Sequence, residues 1–137
     1  MNVLFVTSEA FPLIKTGGLA DVSGALPKAL QNLAEFNGEI KVLMPAYASV
    51  IAQLGPTRII ANVTALGQHC VLIIGKLPKT NIDVIAIQNT TLFERAGGPY
   101  NDEKGVDWPD NALRFGVLSR VASLLSSLQS PLEKWHP

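Results

Sequence analysis

Lys15, Thr16, Gly17 and Gly18 stand directly ahead of Leu19-Ala20-Asp21-Val22, and these residue types in that order are suited to holding a phosphate. Adjacent glycines let a backbone approach a ligand closely. The free amides at a helix start attract anions, and Lys15 adds a movable positive charge. The same residues also fit a plain turn with a solvated lysine, because neither the dinucleotide fingerprint nor the P-loop pattern is present. Asp21 falls in the first turn of the expected helix, where the helix dipole favours a carboxylate. A structural and a sugar-binding role are both open for it, and Glu9 admits the same two readings.

The other reactive side chains have simpler readings. Asn111 and Arg114 lie three apart on one face of an expected helix and form a hydrogen-bonding or capping pair that steadies the loop before it. Tyr100 is a loop aromatic that could pack or bind. Trp108 and Trp135 fit packing better than sugar stacking. His69 and His136 have no carboxylate or second histidine nearby, so no metal site is expected. Cys70, the single cysteine, lies in the apolar run Cys70-Val71-Leu72-Ile73-Ile74; it reads as a small buried thiol and can form no disulfide within the chain.

The elements that must position these residues follow from hydrophobic spacing. Asn2 to Thr7 is a nearly continuous apolar run, the pattern of a strand covered on both faces, and is expected to be central in a parallel sheet. After the glycine loop, Leu19, Val22, Leu26, Leu30 and Leu33 recur at three- and four-residue spacing, which predicts the inner face of a helix. Pro27 is expected to kink or restart that helix near Ala25. Glu39 to Met44, closed by Pro45, predicts a second strand, so strand, helix and strand form one crossover unit. Arg58 to Leu66, Cys70 to Leu77 and Ile82 to Gln88 predict a hairpin followed by a return to the main sheet.

Thr91 to Asp107 turns polar and glycine-rich, which predicts a long loop that takes part in a site. A last helix, capped by Asp107 or Asp110, is expected to bury Leu113, Val117, Val121, Leu124 and Leu128. Phe115, Leu118, Ala122 and Leu125 widen that stripe, and Ser130-Pro131 ends it. The chain then stops where another buried strand is expected, as though cut off.

Composition limits the function classes. A chain of 137 residues suffices for one domain with a real core. Lys plus Arg and Asp plus Glu both count 11, so no overall positive field exists to draw nucleic acid or an acidic membrane surface. No apolar run approaches the roughly 20 residues of a membrane span. The N-terminus has neither the basic flank nor the cleavage site of a signal peptide. A cytoplasmic location is expected, with neither nucleic acid nor membrane as partner.

Met1 to Leu26, with Ser8-Glu9, Phe11-Pro12, Lys15 to Val22 and Gly24-Ala25-Leu26-Pro27, resembles the start of bacterial glycogen synthases and plant starch synthases. Val42-Leu43-Met44-Pro45, Gly98-Pro99-Tyr100 and Asp110-Asn111-Ala112-Leu113-Arg114-Phe115 fit the same family in order and spacing, so the resemblance covers the whole chain. It implies an α/β fold, a Rossmann-like parallel sheet with flanking helices and a β-hairpin insertion. Residues 1–137 would form part of the N-terminal domain of a two-domain GT-B glycosyltransferase, with the C-terminal nucleotide-binding domain absent. The activity implied is metal-independent transfer of glucose from ADP-glucose to the non-reducing end of an α-1,4-glucan with retention of configuration, with no cofactor.

The resemblance makes Lys15 a binding residue for ADP-glucose, with Gly17 and Gly18 lining the same cleft and Asp21 and Tyr100 facing it. The family's His-Ala-His-Asp-Trp-type segment and the paired glutamates of its second domain lie outside this chain. No catalytic residue is therefore assigned, and the chain alone is expected to be inactive. An uncovered sheet edge with exposed apolar surface leaves room for association between copies. Two other readings stay open: a different nucleotide-dependent α/β enzyme such as a dehydrogenase, whose glycine pattern is missing, and a non-catalytic glucan-binding or assembly module that takes maltooligosaccharide without ADP-glucose.

Overall fold

A computed structural model describes all 137 residues, Met1–Pro137. In chain order the elements are β1 (Val3–Val6), α1 (Gly18–Gln31), β2 (Ile40–Pro45), α2 (Ala48–Gln53), β3 (Arg58–Ala65), β4 (Gln68–Lys76), β5 (Asp83–Gln88), α3 (Thr90–Phe93) and α4 (Asn111–Leu125). The strands form one mixed sheet in the order β1-β2-β5-β4-β3. β1 with β2 and β2 with β5 are parallel, whereas β5 with β4 and β4 with β3 are antiparallel.

The most apolar strands occupy the middle. Val42, Leu43 and Met44 of β2 and Val84, Ile85, Ala86 and Ile87 of β5 have no exposed surface, as expected of strands covered on both faces. The hairpin turns at Leu66-Gly67, where both residues have positive φ, and Gly67 supplies the left-handed conformation without a Cβ penalty. The expected hairpin and return are thus present, with β3 and β4 continuing the main sheet. Cys70 is buried in the core, and burial pushes its thiol pKa up.

Four expectations about the elements are corrected. β1 lies at the sheet edge, because only β2 pairs with it in this chain. Next, α1 turns its small residues inward: Ala20, Ser23 and Pro27 are buried, while Leu19 (49%), Val22 (53%), Leu26 (39%) and Leu33 (52%) are exposed. The segment leaving β1 passes too close for leucines. Phe11 N–H bonds to Ala20 O at 2.9 Å, Thr7 Oγ1 meets Ser23 Oγ at 2.9 Å, and a Cβ on Gly24 would strike the Phe11 carbonyl oxygen. Helix α1 also runs through Pro27 to Gln31 without restarting.

The last helix differs as well. It ends at Leu125, and its buried set is Arg114, Val117, Leu118, Val121 and Leu125, while Leu128 is fully exposed. Asp110 occupies the N-cap position without a side-chain cap bond, since its carboxylate is taken by Arg95. α2, absent from the expected elements, is a six-residue helix that follows β2 and buries Val50. α4 packs against β1, β2 and β3 and closes the core with Val117, Val121 and Leu125. Trp135 is a packing group, 8% exposed, with Lys41 Nζ 5.4 Å from its ring centroid.

Candidate functional site

The carboxyl ends of the three parallel strands converge on one edge of the molecule, where ligands of open α/β sheets collect. Ser8 and Glu9 follow β1, Tyr47 follows β2, and α3 with the Gly97–Tyr100 loop follows β5. Side chains tie these exits together. Tyr47 OH donates to Ser8 O at 2.9 Å, and Tyr100 OH shares a 2.6 Å hydrogen bond with Ser8 Oγ. Tyr47 also packs edge-on against Phe93 with ring centroids 6.1 Å apart. Burial pushes the Tyr47 phenol well above its usual pKa. It raises that of Tyr100 too, with Glu9 adding to the effect and the Ser8 bond opposing it. Both phenols therefore stay protonated at neutral pH and able to donate.

The Gly97–Tyr100 loop is held from behind. Arg114, 1% exposed, donates from Nε to Leu92 O at 2.7 Å and from Nη1 to Pro99 O at 2.7 Å and Asn111 Oδ1 at 2.8 Å. Asn111 Nδ2 donates to Tyr100 O at 2.8 Å. The expected Asn111–Arg114 pair is therefore present and steadies the loop. Arg95 forks onto Asp110 at 2.7 and 2.6 Å, and this bond holds the Asp110 carboxyl below the usual carboxylate range. Trp108 Nε1 donates to Gly98 O at 3.2 Å, which makes it a packing group. The segment expected as loop from Thr91 starts inside the one-turn helix α3, capped by the Asn89 side chain.

The Lys15–Gly18 segment stands in front of β1 and opens α1. Lys15 Nζ lies 2.8 Å from both carboxylate oxygens of Asp21, with side chains 46% and 55% exposed. No side chain caps the N-terminus of α1, where Gly17 is the N-cap residue. A Cβ built on Gly17 or Gly18 would meet nothing within 4 Å. Gly17 has φ −163°, extended backbone that any residue adopts. The fold itself thus has no steric need for either glycine, and the open space in front of them is free for a ligand.

Lys15, Gly17, Gly18 and Asp21 are brought together, and Tyr100 reaches the same β1 exit through Ser8. The sequence gives no site role to Tyr47, and Ser8 enters only through the family resemblance, because their contacts join residues 39 and 92 apart. The one available signal for Tyr47 was its place just after the strand-closing Pro45. The largest cavity, about 600 Å³ and lined by Lys41, Arg58, Asp83 and Trp135, lies at the amino ends of β2 and β5, away from this edge. A smaller cleft of about 270 Å³, lined by Ile14, Tyr47, Ser49, Phe93 and Gly98, adjoins the site.

A parallel β-α-β start with an open glycine loop at the carboxyl end of its first strand defines an open α/β domain. Residues 2–135 match the family model described as starch synthase catalytic domain, and the chain belongs to that family. It is 48% identical over 140 residues to a glycogen synthase of Paramagnetospirillum magneticum (strain ATCC 700264 / AMB-1), covering 100% of this chain and 28% of that protein. It is 44% identical to a glycogen synthase of Nitrosomonas europaea, over 99% of this chain and 28% of that one. The chain thus spans little more than a quarter of these relatives. Among solved structures, the catalytic domain of starch synthase IV from Arabidopsis thaliana, bound to ADP and acarbose, superposes with a TM-score of 0.63. That match has 24% identity and covers 89% of this chain and 24% of that chain, and it shares the fold. No helix is long and apolar enough to cross a membrane.

Proposed function

We propose that this chain is the N-terminal part of a cytoplasmic, ADP-glucose-dependent glycogen synthase of GT-B architecture, which moves glucose to the non-reducing end of an α-1,4-glucan with retention of configuration. The observation that carries this is the Lys15–Gly18 loop: a lysine, two sterically unneeded glycines and an uncapped helix start, all open at the carboxyl end of β1. The glycogen synthase relatives and the ADP-bound starch synthase neighbour support the choice of ligand. Loss of the nucleotide leaves negative charge on a diphosphate. Lys15 and the first amides of α1 offset that charge, and electrostatic help of this kind is worth several kcal/mol in a closed cleft. Tyr100, Ser8 and Tyr47 form the adjoining polar wall for a sugar.

A full-length synthase carrying this chain as its first 137 residues is expected to transfer glucose from ADP-glucose to glycogen, and the isolated chain to transfer none. Turnover by the isolated chain would show that the active site is complete within it. A full-length protein that binds maltooligosaccharide but uses no ADP-glucose would replace the enzyme by a glucan-binding module.

The remainder of the synthase would also cover β1. Val3 and Thr7 direct their N–H groups to β2, so the backbone groups of Leu4 and Val6 face the open edge. An open strand edge pairs readily with a second copy. Light scattering on the isolated chain should therefore give a mass that rises with concentration, and a constant monomer mass would show that the edge is inert.

A further inference from the structure

Glu9 is the one buried carboxylate of the chain, 2% exposed, and none of the five ion pairs includes it. A buried carboxylate without a cation is costly to desolvate and persists where hydrogen bonds hold it. Its two short bonds come from one residue, Thr16 N–H donating to Oε2 at 3.1 Å and Thr16 Oγ1 to the same oxygen at 2.6 Å, with the Tyr100 phenol as its other polar neighbour. The backbone of Glu9 is itself fixed, since Thr7 Oγ1 lies 2.8 Å from Glu9 O and the neighbouring Ser8 holds Tyr47 and Tyr100. Glu9 thus ties the exit of β1 to the residue lying between Lys15 and Gly17.

We propose that Glu9 is a positioning residue for the nucleotide-sugar loop: by drawing the amide and hydroxyl of Thr16 inward, it sets the outward course of Lys15 and of the Gly17–Gly18 helix start. This rests on Lys15 and the glycines being the ADP-glucose contacts. The bond to Thr16 closes a seven-residue span, so its loss frees the loop without touching the sheet. Charge-assisted hydrogen bonds are about twice as strong as neutral ones, which suits an anchor that must hold while a ligand enters. Glutamine keeps an oxygen that can accept both bonds, whereas alanine removes the anchor.

The test uses the full-length synthase. Glu9→Ala is expected to raise the KM for ADP-glucose about 10- to 100-fold, the usual cost of a displaced binding group, with the KM for glycogen unchanged. Glu9→Gln should stay within about threefold of the parent. Because Glu9 acts through Lys15, Glu9→Ala in a Lys15→Ala background should add less than about threefold, a strong departure from additivity. Hydrogen exchange at the amides of residues 16–18 should rise in Glu9→Ala and return in Glu9→Gln. Should Glu9→Ala fail to fold, Thr16→Val removes one of the two bonds from the exposed partner and is expected to move KM in the same direction. Lower thermal stability with an unchanged KM for ADP-glucose, or full additivity with Lys15→Ala, overturns the proposal. If Lys15→Ala itself leaves kcat/KM for ADP-glucose unchanged, the assignment of the loop to ADP-glucose falls, and the role of Glu9 with it.

Discussion

Arg114→Met is expected to lower the stability of the chain by about 3–5 kcal/mol and its melting temperature by roughly 10–15 °C. The guanidinium is buried, and burial pushes its pKa down, yet arginine keeps its proton in proteins. No carboxylate pairs with it; the charge is held by the carbonyls of Leu92 and Pro99 and by Asn111 Oδ1. Three rings add to this, with centroids 5.7 Å (Phe93), 5.9 Å (Trp108) and 5.4 Å (Phe115) from Cζ.

Methionine fills much of the same volume, so the loss lies in polar groups rather than in a cavity. Two buried carbonyls lose their donor, each at about 1–3 kcal/mol, and the charged hydrogen bonds go with them. Arg114→Lys should also destabilise, because a single ammonium cannot fork between Leu92 and Pro99. Arg120→Met, on the exposed face of α4, should change stability by less than about 0.5 kcal/mol. Urea unfolding of the three variants decides the matter: a loss below about 1 kcal/mol in Arg114→Met would mean that both carbonyls find other donors.

Arg114 also shows what could be read in the sequence and what could not. Its spacing from Asn111 was enough to predict a pair that steadies the loop, because three-residue spacing on a helix puts two side chains on one face. Its full burial was hidden by the rule that charged residues stay outside, a rule that fails where backbone carbonyls converge. β2, β4 and β5 were legible because buried strands leave continuous apolar runs.

The inner face of α1 was not legible. Hydrophobic periodicity marks the leucines, but the close passage of residues 7–11 selects Ala20, Ser23 and Gly24, and small residues leave no such mark. α2 was missed because six residues hold too few turns to show a period. The order strand, loop, helix puts Lys15, Gly17 and Gly18 between β1 and the start of α1, which is where they lie. The link from Tyr100 to Ser8 spans 92 residues and exists only once the strands are in register.

Lys15→Ala is expected to lower kcat/KM for ADP-glucose in the full-length synthase by about 10²- to 10³-fold while leaving stability within about 1 kcal/mol of the parent. The two magnitudes differ because Lys15 has two possible partners. In this structure it lies on Asp21, but both side chains are about half exposed, and such pairs contribute only about 0–1 kcal/mol. A diphosphate in a closed cleft would offer roughly 3–4 kcal/mol, so Lys15 is expected to leave Asp21 if the nucleotide binds here. The glycines supply the matching control. Gly17→Ala and Gly18→Ala meet no atom within 4 Å; alanine at position 18 gains helix propensity, so Gly18→Ala should melt at or above the parent temperature, while alanine at the N-cap position 17 should cost no more than about 1 kcal/mol. Their added methyl groups occupy the space a ligand would use, and ADP-glucose affinity should fall. Stable variants with weakened ADP-glucose binding identify the loop as a binding element; if all three bind ADP-glucose as the parent does, Lys15 to Gly18 is no more than the turn into α1.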